Sequence, residues 1–232
     1  MATGMSTEAA LYRLLAWLSP AYPVGAYTYS HGLEWAVEAG LVRDRAGLVD
    51  WLATVLRSGG GWQDAVLLAH AHRAVAGGDD ALWRELRATA QAWVPTAELA
   101  LETRAQGEAF AVASLASWPD PSGRLALLVD DGPGLTYPLA VGAVSAAHGV
   151  PLPLVLPAYL QAFAANLVSA AVRAVPLGQT DGQRALAALE PVVAEVALAA
   201  RDCPLDELGT SALMVDLCSM RHETQYTRLF RS

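Results

Sequence analysis

Apolar residues recur along this chain at the spacing of helix faces. Leu11, Leu14, Leu15 and Leu18 fall at i, i+3, i+4 and i+7, one apolar stripe on an α-helix. Leu48, Leu52 and Val55 repeat the pattern, as do Leu82, Leu86 and Trp93 with Ala90 between them. Leu186, Leu189, Val193 and Val196 make a fourth stripe. Residues that end helices agree with the stripes. Gly40 follows the run 33–39 as a C-terminal glycine, and Asp44 stands as N-cap of the next helix. Thr180-Asp181-Gly182-Gln183 has the spacing of a capping box. Pro and Gly clusters interrupt the pattern at 20–25, 59–61, 77–78, 118–123, 130–134, 149–153 and 176–178. Pro191 is expected to kink or split the helix around it. The run 125–129 is the one short stretch that reads as a strand, and no repeat or linker divides the chain. The pattern predicts an all-α, single-domain bundle of about eight to ten helices.

Composition adds to that picture. Apolar residues make up 54% of the chain and charged residues 16%, so more apolar surface is available than the core of a monomer needs. An oligomer face or a deeply buried helix is the expected use. The net charge of −8 excludes nucleic acid as a partner, because that binding rests on neutralising phosphates. All 15 basic residues are Arg, which removes any phosphate-loop or Schiff-base lysine. Cys203 and Cys218 are the only thiols. With no export signal in Met1 to Glu8, they read as reduced residues of a cytoplasmic protein. The stretch 132–172 carries no Asp, Glu, Lys or Arg, and a membrane span needs roughly 20 apolar residues. Pro151, Pro153, Pro157, Gln161 and Asn166 interrupt it, so a buried helix hairpin is expected rather than a span.

Two segments depart from this background. The last twelve residues interleave Arg221, His222, Glu223, Tyr226, Arg228, Leu229, Phe230 and Arg231, where a chain end is normally small and polar. Arg, Tyr and Phe are instead enriched where proteins meet partners. Tyr226, Leu229 and Phe230 also fall at i, i+3, i+4, so packing of the tail back onto its own domain is the alternative. The second segment runs Leu18-Ser19-Pro20-Ala21-Tyr22-Pro23-Val24-Gly25-Ala26-Tyr27-Thr28-Tyr29-Ser30-His31-Gly32-Leu33-Glu34. Its prolines and glycine fix an irregular loop between helices, which Tyr22, Tyr27 and Tyr29 decorate.

Both segments resemble the UreF family of urease accessory proteins. The loop matches the family's Ser-Pro-x-x-Pro-x-Gly-x-aromatic-x-Tyr-Ser signature followed by Gly-Leu-Glu. Two further blocks are similar, from Tyr137-Pro138 to Ala147-His148-Gly149 and from Leu167-Val168-Ser169 through Arg173 to Gln183. The likeness runs from about residue 11 to residue 232, carried mainly by pattern over roughly 60–130. The resemblance implies a non-enzymatic scaffold required for maturation of urease by incorporation of its nickel metallocentre. It implies a homodimer in which each copy binds the accessory protein UreD, also called UreH. That platform recruits the GTPase UreG, which delivers nickel to apo-urease in a GTP-dependent way. It further implies that the eight tail residues named above bind UreD/UreH. The loop residues Tyr22, Tyr27, Tyr29, Ser30, His31 and Glu34 then make a second partner face.

Individual residues offer little chemistry of their own. His70 and His72 lie two apart, about 200° around a helix, and so cannot hold one ion. His31 and His222 remain as weak contacts for passing metal, and no tight nickel site or catalytic residue is expected. Glu34 with Glu38, and Glu98 with Glu102, are i, i+4 pairs that read as solvated faces. Arg43, Arg45 and Arg173 read as helix-end charges or local ion pairs. The alternatives from other classes are a small helical enzyme using His31 and Glu34 in the tyrosine loop, and a membrane-associated protein built on 132–172.

Overall fold

The computed structural model describes residues 5–120, 122–129 and 134–232. Among these there are ten α-helices and no strand. They are α1 (Thr7–Trp17), α2 (Leu33–Glu38), α3 (Arg45–Ser58), α4 (Gly60–Gly77), α5 (Asp80–Ala92), α6 (Ala97–Ser117), α7 (Tyr137–Ala147), α8 (Leu152–Ala174), α9 (Gln179–Asp202) and α10 (Leu213–His222). Several starts follow from one side chain taking a free amide. Ser6, Asp44, Asp79 and Thr96 accept from the N–H of Ala9, Gly47, Leu82 and Leu99 at 3.3, 2.9, 2.9 and 3.3 Å.

Helix α4 is the centre of the molecule. It packs along α7, with α6 on another side of α7, while α3, α5, α8 and α9 also touch it. The approach of α4 to α7 is close because Gly142 has no side chain. A Cβ there would lie 2.7 Å from the Leu68 carbonyl oxygen. Every residue from Pro138 to Ser145 on α7 is buried, so this helix is apolar all round as a central helix must be. Helix α8 pairs with α9, and α10 crosses α2. One contiguous cluster of buried apolar side chains links α1 through α10.

Several expectations change in this setting. The stripe on α1 is only partly its core face: Leu14 is buried with Ala10 and Trp17, and Leu18 packs on the core, whereas Leu11 and Leu15 face solvent at 48% and 75% exposure. Trp93 is likewise 43% exposed, and Trp83 takes its place beside Leu86 and Ala90. The run 124–129 forms a 3₁₀ turn rather than a strand, burying Leu125 and Leu128. The capping box at Thr180 is not made, since α9 already begins at Gln179 after Gly178. Pro191 does not split α9, which continues through it with the proline exposed. The predicted hairpin is two helices, α7 and α8, that pack chiefly on different partners. The breaks assigned to 121 and 130–133, the first residues of the charge-free stretch and residues 1–4 lie outside the described residues. Among the described residues α8 alone is long and apolar enough to cross a membrane, and half of its apolar window is buried inside the protein.

Candidate functional site

The tyrosine loop is shaped by residues that tolerate a left-handed backbone. Gly25 adopts φ +73° and opens a 3₁₀ turn over Ala26–Thr28. His31 and Gly32 follow with φ of +53° and +73°. Gly32 is required twice over, because a Cβ there would also lie 2.6 Å from the backbone nitrogen of Ser219 on α10. His31 has no such freedom, and its strained backbone is held by its side chain. The ring packs edge-on against Phe163, with centroids 5.0 Å apart, and Nε2 meets Glu102 Oε1 at 2.8 Å.

The loop's tyrosines divide by role. Tyr22 is half-buried against the Phe110 ring and shares a 2.9 Å hydrogen bond with the Ser114 hydroxyl. Tyr29 is buried, whereas Tyr27 is 64% exposed. Arg173 stands in the last turn of α8, as its reading as a helix-end charge expects, and it does more. It donates to the Tyr27 carbonyl at 2.7 Å and lies 4.4 Å over the Phe230 ring, joining the loop to the tail.

The tail turns back over α2 and α6 after α10 ends. His222 is fully buried, with Nδ1 2.7 Å from Glu98 Oε2 and Nε2 3.2 Å from Glu34 Oε2. Glu223 Oε1 accepts from the Ala97 N–H at 2.9 Å, placing a negative charge at the N-terminus of α6. Arg228 reaches Glu98 Oε1 at 2.5 Å. The Leu229 and Phe230 amides donate to the two oxygens of Glu34 at 2.7 and 3.0 Å. Arg231 N–H donates to the Thr28 carbonyl at 2.8 Å, and Ser30 N–H to the Ser232 carbonyl at 2.7 Å. The Ser30 hydroxyl also bonds that carbonyl, and the Ser232 hydroxyl bonds Glu102 Oε2 at 2.6 Å.

Two predicted clusters therefore form one site, since Ser30, His31 and Glu34 of the loop and the tail meet across α6. Of the eight tail residues, His222 and Phe230 are buried, while Arg221, Glu223, Tyr226, Arg228, Leu229 and Arg231 are exposed. The intramolecular packing read as an alternative thus describes how this tail is held, and six of its side chains still face outward. The reading of the Glu pairs as solvated faces is corrected. Glu34 and Glu102 are 8% and 4% exposed, because the tail covers them. Glu38 is exposed and accepts from Gln225 at 2.5 Å.

Beneath the loop lies a cavity of about 100 Å³, lined in part by His31, Gln63, Asp64, Glu102, Gln106, Tyr137 and Tyr159. Burial pushes the Asp64 carboxyl up to about 6, against the opposing effects of a 2.7 Å hydrogen bond from the Tyr159 hydroxyl and the charge of His31. Burial by itself would lower His31, yet the charge and hydrogen bond of Glu102, with the charge of Asp64, carry it above the ordinary imidazole value. Burial also pushes the Tyr137 and Tyr159 phenols up. The His31–Glu34 pairing of the enzyme alternative is not made: His31 bonds Glu102, and Glu34 is occupied by the tail. His70 and His72 bond the carbonyls of Cys203 and Val150 at 2.9 and 2.8 Å. Among the described residues no three or more His, Cys, Asp or Glu side chains are grouped to hold a metal ion. Glu98, Glu102, Asp64, Tyr159 and Ser232 belong to the site without having been assigned to it. The i, i+4 spacing of Glu98 and Glu102 was the available signal.

Comparison with known proteins extends the picture over the whole chain. The family model UreF matches residues 42–190, a span that excludes both the loop and the tail. Relatives cover what it leaves out. A urease accessory protein UreF of Rhodopseudomonas palustris (strain BisB5) is 56% identical over 97% of this chain and 92% of its own length. Another from strain BisA53 is 54% identical over 100% of this chain and 97% of its own. A third, from Bradyrhizobium diazoefficiens, is 51% identical over 97% of this chain and 92% of its own.

Proposed function

The chain belongs to the UreF family of urease accessory proteins, and from that premise we propose that it works as a non-enzymatic scaffold in nickel insertion into urease. In this reading it acts in the cytoplasm as a homodimer. Each copy holds one UreD/UreH, and the platform recruits UreG for GTP-dependent delivery to apo-urease. Nickel is cargo of the complex rather than a resident cofactor. The observation that carries the reading is a series of exposed apolar residues along α10 and the tail. Leu213, Met214, Leu217 and Met220 on α10, then Tyr226 and Leu229, are all exposed. Apolar anchors with arginines Arg221, Arg228 and Arg231 beside them are what a partner with acidic and apolar groups would engage.

Deleting the tail would be an ambiguous test, since it also removes buried His222, Phe230 and Ser232. Surface variants separate the roles. Tyr226→Ala combined with Leu229→Asp is expected to keep wild-type circular dichroism and weaken capture of purified UreD/UreH by about 30-fold or more. Urease activation in cells should fall with it. Wild-type affinity in that double variant would overturn the docking assignment.

A further inference from the structure

Glu34 is buried and takes no part in the exposed face, yet the tail is organised around it. We propose that Glu34 is a positioning residue that sets the register of the tail and so decides which of its side chains face a partner. The inference rests on the docking reading above. One carboxylate receives two successive backbone amides, Leu229 at Oε1 (2.7 Å) and Phe230 at Oε2 (3.0 Å). Residues 229 and 230 form a bend, and a bend is what lets two successive N–H groups converge on one acceptor. With this pair of amides held inward, the Phe230 side chain lies in the interior and that of Leu229 outside, at 5% and 70% exposure. A slip of one residue would set a different pair of amides on the carboxylate, and the ring under Arg173 would be displaced.

The same carboxylate closes the other end of the segment. Its Oε2 stands 3.2 Å from His222 Nε2, so residues 223–228 form a loop with both ends pinned on Glu34. Tyr226 sits on that loop, fully exposed. A carboxylate suits this position because it only accepts, whereas Gln would turn an NH₂ group toward one of the amides. The bonds are made to the backbone, so the identities of Leu229 and Phe230 leave them intact. Charge on the acceptor also makes them stronger than neutral ones.

Glu34→Gln tests the proposal by amide hydrogen exchange and partner binding measured on the same full-length protein. The amides of Leu229 and Phe230 are expected to lose protection by about tenfold or more, with helical amides unchanged. Affinity for UreD/UreH should fall by a similar factor. Glu34→Asp keeps the charge but is too short to reach both amides. It should free one of them and give an intermediate loss, and it serves as the readout if the Gln variant does not fold. Wild-type tail protection in a folded Glu34 variant overturns the inference. If Glu34→Gln frees the tail but binding is unchanged, the positioning role fails. If the Tyr226/Leu229 double variant also binds normally, it is the docking reading itself that has failed.

Discussion

Helices α4 and α7 pack closely where Gly142 meets Leu68 and Ala71, whereas the tail meets α2 and α6 through directed bonds to carboxylates. Both contacts are well buried, yet they are held by different physics. Apolar contact is spread over many atoms and no single group decides it. The tail depends on three carboxylates, Glu34, Glu98 and Glu102, each accepting from a few directed donors. Such a contact has one geometry and loosens as a unit when a partner is removed. A scaffold needs both kinds, one to keep its shape and one to present a defined surface.

The largest expected effect lies in the apolar region. Leu68 is fully buried on α4, and Leu68→Ala should cost about 2–5 kcal/mol in urea unfolding. The loss should appear as a shift of the global midpoint. A purely local loosening would show that α4 and α7 are less central than their packing indicates. His222→Ala probes the other region and should cost about 1–3 kcal/mol, since it strips two carboxylates of one buried donor group. Here the loss should be local. Trypsin should cut after Arg228 while circular dichroism still reports intact helices, and a global midpoint shift without tail cleavage would erase the contrast between the regions.

The smallest effect is a pH dependence where the two regions join, for α4 also carries Asp64. Its folded value of about 6 lies above the ordinary aspartate value of 3.8, so the folded state keeps a proton that the unfolded chain releases. Stability should therefore fall as pH rises from about 4 through about 6. His31 is raised too, so its contribution is present below its ordinary value and is lost as pH rises through the higher folded one. Asp64→Asn should flatten the lower part of that slope and stabilise the protein at neutral pH by on the order of 2 kcal/mol. Unfolding midpoints across the range check this, and a wild-type slope in the variant would remove Asp64 as its source.

Much of the fold was legible because helical periodicity is a local signal. The stripes on α3 and α9 face the core, and Gly40 and Asp44 end and start helices where their chemistry says. On α1 the same rule placed the face off-centre, with Leu14 and Leu18 on the core but Leu11 and Leu15 outside it. Leu11 and Leu15 match the spacing as well as Ala10, Leu14 and Trp17 do, and only the neighbours decide which set is covered. The site was legible as two unusual segments, with His31 and Glu34 in one and His222 in the other. Their bonding was not. Arg173 was legible as a helix-end charge, but its partners Tyr27 and Phe230 were not, because they lie far from it in the chain.

By itself the sequence determined that the protein is helical, where most helices begin and end, and, through the loop and tail signatures, which family it resembles. These depend on residues within a few positions of each other. Only the tertiary structure decided that Glu34 and Glu102 are buried beneath the tail and Glu98 half-buried beside them. A carboxylate's spacing tells which helix face it shares, but its burial depends on what the chain lays over that face. Here that cover arrives from residues 222–232, contributed by the far end of the sequence.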